Sequence, residues 1–242
     1  MITLIGTGHV FNISEPILEI FDEKKPEIIC VELDKERCQG LLLKQSDKEG
    51  YKKKMDNTSS IYKLLARFQD NMAEEYGVIA GQEMLTAINY AQTHQIPLAL
   101  IDMNAKELFN KMFKEMKISE KLRLLISGIA GFFVSKKRVE KELSRIEKNF
   151  DSYLNDVGDK FPTIKKVLID DRNNFMAKKI INAKEQYENI IAVLGDGHIP
   201  GISKILEDEK ISFETVRLKD LRKKSENKIT DSSSASFSIE YK

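Results

Sequence analysis

Four short apolar runs, Ile2–Ile5, Glu27–Val31, Leu98–Ile101 and Ile190–Leu194, stand out along the chain. They are rich in β-branched residues and alternate little, as strands covered on both faces do. A fifth run, Ile211–Arg217, alternates more and reads as an edge strand. Helical patterns lie between them. Ser14 is the expected N-cap of a helix reaching about Lys24, with Glu15 and Pro16 in its first turn. Asp34 opens another. From Gly81 to Gln95 the apolar positions Met84, Leu85, Ala87, Ile88 and Ala91 form a helical stripe. Strand–helix alternation at both ends predicts an α/β fold, a central and mostly parallel sheet flanked by helices.

The middle departs from this rhythm. Residues 104–184 are helical in pattern throughout, including a charged stretch, Lys136–Lys148, with acids and bases three and four apart. We expect a large helical insertion capping the sheet, within one domain of residues 1–222. The apolar stretch Leu122–Val134 is shorter than a membrane span and is expected to be buried, with Gly128 and Gly131 allowing close helix packing. Residues 223–242, which include Ser232-Ser233-Ser234, read as a flexible tail.

Charge excludes one class of function. With 39 basic and 38 acidic side chains the net charge is +1, so no general basic excess for nucleic-acid binding exists. The two cysteines, Cys30 and Cys38, form no disulfide framework or zinc spacing. Their usage suits a reducing compartment, and Met1–Ile5 enters a strand with no basic leader. A cytoplasmic location is expected.

Chemistry is expected at the carboxyl ends of the strands, where ligands sit in open α/β sheets. The first strand leads into Gly6-Thr7-Gly8-His9, the second into Glu32-Leu33-Asp34 with Arg37 one turn on, the third into Asp102, and the fourth into Gly195-Asp196-Gly197-His198. Two of the three histidines in the chain therefore occupy matched turns. The glycines would tolerate positive φ and let a ligand approach the backbone. Neither turn has a phosphate-loop ending or a dinucleotide fingerprint. His9, Glu32 and His198 form a plausible three-ligand set for a divalent metal with one position left for water. Glu32 could instead act as general base, and Arg37 could hold a substrate carboxylate or a developing oxyanion. Zinc, manganese, iron and cobalt suit such ligands alike. Asp102 reads equally well as a helix cap. His94 reads as a helix C-terminal partner, and Arg172 as the ion-pair partner of a buried acid such as Glu83, still able to line the cleft.

These residues resemble the TraB family, known for pheromone shutdown. Its wider group takes in Tiki proteases, GumN proteins, erythromycin esterases and haem-binding ChaN proteins. The resemblance runs through Leu4–Val10, Val31-Glu32-Leu33-Asp34 with Arg37, Glu75-Tyr76-Gly77, Gly81-Gln82-Glu83-Met84, Asp171-Arg172-Asn173 with Met176-Ala177, and Gly195–Ile202. It implies a fold like that of erythromycin esterase and ChaN, and a site built on His9, Glu32, Arg37 and His198. Gly6, Gly8, Gly195, Gly197, Arg172, Asp102 and Glu83 would line the substrate. The implied activity is metal-dependent, peptidase-like hydrolysis of a small peptide or related amide or ester. The alternatives are a protein that sequesters a peptide or haem without turnover, and a membrane-associated module whose cap mediates homodimerisation. Met103 stands where TraB-like sequences often carry arginine; if that arginine contacts substrate in them, this chain has lost or moved the contact. Many members carry hydrophobic spans beyond the catalytic region, which implies membrane association in longer relatives; no such span occurs up to Lys242.

Overall fold

The computed structural model describes residues 1–8, 13–47, 49–51, 81–131 and 158–233. His9, the Glu75-Tyr76-Gly77 motif and the Lys136–Lys148 stretch lie outside the described residues.

The elements run β1 (Ile2–Thr7), α1 (Ser14–Lys24), β2 (Ile28–Val31), α2 (Lys35–Ser46), α3 (Gln82–Thr93), β3 (Leu98–Leu100), α4 (Ala105–Glu115), α5 (Ile118–Gly131) and α6 (Pro162–Lys165). A π-helical turn at Lys166–Asp170 joins α6 to α7 (Asp171–Lys184). Then come β4 (Ile190–Gly195), a 3₁₀ turn at Asp196–His198, α8 (Ile199–Asp208), β5 (Phe213–Val216) and α9 (Leu218–Ser233). All the expected strands form. They make one parallel sheet of order β3-β2-β4-β1-β5. The run at residues 211–217 holds its expected edge position.

Alternate residues of each strand feed opposite cores, as the two-residue period of a strand dictates. Ile5, Ile29, Val31, Ile191 and Val193 face Ile17, Phe21, Met84, Ile88 and Leu221, so α1, α3 and α9 cover one side. Leu4, Cys30, Ala192 and Leu194 face Met176, Ile180, Ile202 and Leu206, so α7 and α8 cover the other. A smaller cluster of Leu108, Met112, Met116 and Val167 packs α4 against the π turn.

Three local expectations change. Ser14 is the first helical residue rather than the cap; Ile13 takes the cap position without a side-chain bond, and Ser14 Oγ instead lies 2.9 Å from Thr86 Oγ1 on α3. The cap stops short of residue 184, because Met176, Ala177 and Ile180 of α7 are committed to the sheet. The tail is helical past residue 222, since α9 carries on to Ser233.

Of the apolar stretch Leu122–Val134, the described side chains Leu122 and Ile126 are exposed rather than buried, and the side chains from residue 127 on lie outside the described residues. Ile118, Leu122 and Ile126, spaced four apart on one face, are exposed. The helix is anchored through its other face. Glu120 accepts from Thr163 N and Oγ1 at 2.8 and 2.7 Å, and Arg123 donates to Lys160 O. Among the described residues no helix is long and apolar enough to cross a membrane.

Candidate functional site

Because every strand runs the same way, all carboxyl ends lie on one edge of the sheet, and the site is assembled there. Thr7 of β1 pairs in register with Gly195 of β4, and Val31 of β2 with Val193 of β4 and Leu100 of β3. The residues immediately beyond Val31, Leu100 and Gly195 are therefore neighbours. They include Glu32, Asp102 and His198, each buried.

Arg172 joins the two acids. Its Nη2 bonds Glu32 Oε1 and reaches Asp102 Oδ2 at 2.7 Å, its Nε bonds Asp102 Oδ1 at 2.9 Å, and its Nη1 donates to Leu168 O. The expected partner, Glu83, is buried in the first turn of α3 and is not among these contacts. Arg172 reaches the strand ends because α6, the π turn and α7 form one continuous rod. The Asp171 N–H closes the π turn on Lys166 O, five residues back. Such one-residue widenings re-aim the side chains that follow and recur at functional sites. Lys111 steadies the same corner through Asp171 at 2.7 Å.

Asp102 is not the cap of α4. Asn104 caps it, accepting from Lys106 N and Glu107 N. Asp102 instead takes Arg172 on one side and Arg37 Nη1, at 2.7 Å, on the other. Arg37 rises from the first turn of α2, where Asp34 Oδ1 caps Glu36 N and Arg37 N. Asp34 Oδ2 holds Ala105 N at 3.1 Å, tying α2 to α4. Arg37 is the more exposed of the two guanidiniums, and the Asp102 bond accounts for only one of its N–H groups.

Glu32 Oε2 accepts the Gly195 N–H at 2.6 Å, and Oε1 lies 3.5 Å from His198 Nε2. Burial works against this carboxylate. His198, Arg172, the Gly195 N–H and Arg37 outweigh it and hold the group down at about 2. His198 contributes only when protonated, so near neutral pH the guanidiniums and the backbone donor keep Glu32 charged. Burial also depresses the His198 pKa, opposed by Glu32 and reinforced by Arg172. At neutral pH the ring is uncharged. Its Nδ1 bonds Asn173 Oδ1 at 2.7 Å.

The glycines serve by size rather than by φ. Gly195 sits at φ −59, and the left-handed glycine among the described residues is Gly81. A Cβ at Gly195 would stand 3.3 Å from Glu32 Oε2, and one at Gly6 would stand 2.2 Å from Asp196 Oδ1. Gly6 thus admits Asp196, whose oxygens take Arg217 Nε and Nη2 at 2.8 and 2.7 Å and Leu218 N at 2.9 Å. Asp196 clamps the histidine turn to the start of α9. Gly197 lies within that turn, and Gly8 ends the described chain just beyond β1. His94 caps α3 as expected, with Nδ1 3.0 Å from Tyr90 O and its ring stacked on Tyr90.

Of the expected metal set, Glu32 and His198 are brought together. His9, the third of that set, lies outside the described residues. Both Glu32 oxygens are already engaged and its charge is neutralised by Arg172. Asp102 is spent between two guanidiniums. A metal at Glu32 would have to displace a buried arginine and sit beside its charge.

Sequence reasoning missed Asn173 and the Asp196–Arg217 clamp. A signal for the first was present: Gly201 falls inside a helix, where glycine costs about 1 kcal/mol against alanine, so its presence points to a close neighbour.

Acid should expose this electrostatic design. Glu32 is depressed below its ordinary 4.5, so the stability it contributes is full above that value and is lost as pH falls through about 2. His198 acts in the same direction: below its ordinary 6.5 the unfolded chain takes a proton that the folded ring resists. Thermal midpoints from these groups should be level above pH 6.5 and fall progressively below it. A midpoint constant from pH 7 to pH 3 would count against the buried network.

A family model for the TraB/PrgY/gumN family matches residues 1–212. A curated, uncharacterised protein of Methanocaldococcus jannaschii is 30% identical over 211 residues, covering 85% of this chain and 53% of that protein. The chain thus spans about half the length of this relative. Among solved structures, a histidine-to-asparagine mutant of the erythromycin esterase EreC in its open conformation aligns with 13% identity and a TM-score of 0.39, over 89% of this chain and 69% of its own. The ordered motifs along β1, β2, α7 and the β4–α8 turn, and the match over residues 1–212, make this chain a member of the TraB/PrgY/gumN family.

Proposed function

We propose that the protein hydrolyses an ester or amide bond, a peptide bond included, with His198 as the general base toward water. One observation carries this reading: a buried, neutral imidazole has one nitrogen fixed by Asn173 and the other beside an ionised Glu32. In the reaction the Nε2 lone pair removes a proton from water as its oxygen bonds to the substrate carbonyl carbon. The imidazolium so formed is stabilised by the Glu32 carboxylate 3.5 Å away. The carbonyl oxygen gains negative charge, which the uncommitted N–H groups of Arg37 can meet. On collapse, the bond to the leaving oxygen or nitrogen breaks and His198 returns its proton to that atom. Arg172 works indirectly: it keeps Glu32 charged and holds Glu32 and Asp102 in place.

The test is a panel of chromogenic esters and fluorogenic peptides assayed with the full chain, with and without a strong chelator, beside elemental analysis. Turnover that survives chelation in protein lacking stoichiometric metal is the expected result. Loss of turnover on chelation and recovery with added zinc, manganese or cobalt would favour the metal-dependent reading. Tight peptide or haem binding with no turnover would favour sequestration.

A further inference from the structure

We infer that Asn173 is a positioning residue whose Oδ1 holds His198 as the Nδ1–H tautomer and leaves the Nε2 lone pair on the Glu32 side of the ring. A carboxamide oxygen can only accept, so the 2.7 Å contact to Nδ1 places the ring proton there. Nε2 makes no hydrogen bond to Glu32, although 3.5 Å separates it from Oε1. A proton on Nε2 would have its best acceptor within reach and unused.

Asn173 is itself set by the backbone of α8. It follows Arg172 on α7, so one helical turn delivers both the guanidinium to Glu32 and the amide to His198. The amide group lodges against Gly201: a Cβ there would fall 2.1 Å from Asn173 Nδ2 and 2.9 Å from its Cγ. Real Cβ contacts are never this close, so any side chain at 201 must push the amide aside. Gly201 lies three residues after His198, and the spacing His-Ile-Pro-Gly thus encodes both the base and the space for the group that orients it. The groups around the ring are Glu32 from the end of β2, Arg172 and Asn173 from α7, Asp102 beyond β3 and Arg37 from α2.

The use of the lone pair rests on the proposed hydrolysis; the tautomer does not, and is read without substrate. Nitrogen chemical shifts of ring-labelled histidine in the full chain distinguish the tautomers. The chain has three histidines, so His9→Gln and His94→Gln suffice for assignment. In the unsubstituted protein His198 should carry its proton on Nδ1. Asn173→Leu and Gly201→Ala should each move it toward Nε2, whereas Asn173→Asp, which keeps an acceptor, should retain it on Nδ1. A proton on Nε2 from the outset, or a tautomer unmoved by both Asn173→Leu and Gly201→Ala, would overturn the inference. If the tautomer moves, kcat of Asn173→Leu should fall about 10²- to 10⁴-fold with KM little changed, the range for a base held in the wrong form. A moved tautomer with kcat intact would sink the proposed role of His198 as base and leave the assignment of Asn173 standing.

Discussion

Arg172→Met should be the most destabilising single substitution in the site. Arg172 pairs with two carboxylates that are both almost fully buried; without it Asp102 keeps Arg37, but Glu32 is left with the Gly195 N–H and a neutral imidazole beside it. Removing one partner from a buried ionic network costs about 3–5 kcal/mol, because it strands charge rather than because the pair was strongly favourable. For a chain of this size that amounts to a fall in melting temperature on the order of ten degrees. The same logic predicts recovery: Arg172→Met combined with Glu32→Gln should regain much of the loss, since the stranded carboxylate is then neutral and Asp102 keeps its pair with Arg37. A calorimetric midpoint for Arg172→Met within two degrees of the parent, on the scale of about 1 kcal/mol or less, would show that the network is not closed as described.

His198→Ala should abolish turnover with a much smaller effect on folding. A positioned general base contributes about 10²- to 10⁴-fold. The imidazole is neutral in the folded protein, so its removal leaves no charge stranded; Glu32 keeps Arg172 and the Gly195 N–H. Asn173 Oδ1 loses the donor it accepts from, a cost of about 1–2 kcal/mol. The two substitutions therefore separate: Arg172→Met acts on stability first, His198→Ala on rate. Activity within tenfold of the parent in a folded His198→Ala protein would move the base elsewhere.

The strands were readable because a parallel sheet leaves its mark locally, in short runs such as Ile190–Leu194 that are buried on both faces. The parallel direction then put Glu32, Asp102 and His198 together with no further information. What could not be read was pairing. Arg172 lies 140 residues from Glu32 and is preceded by a π turn that no periodicity announces, so its reach toward the strand ends rather than toward Glu83 was invisible. Asp102 was ambiguous for a related reason. A carboxylate before a helix caps it unless a better cap follows, and Asn104 is that cap. The exposed face of α5 shows the limit of hydropathy alone: Ile118, Leu122 and Ile126 are apolar, but Glu120 and Arg123 decide which side of the helix is held down.

The strand order has a consequence for how the protein is made. β1 is synthesised before both its neighbours, β4 and β5, which come from residues 190–216. At ribosomal rates of about 5–20 residues per second the N-terminal strand waits on the order of ten seconds or more for either partner. β2 and β3 can meet earlier, but without β4 they remain an isolated pair. β4 lies between β2 and β1, so the two halves of the sheet are joined only once β4 has been made, and the histidine turn that follows it meets Glu32 no earlier. Nascent chains shorter than about 190 residues should therefore display open strand edges and depend on chaperones, and the catalytic groups cannot meet before β4 is made.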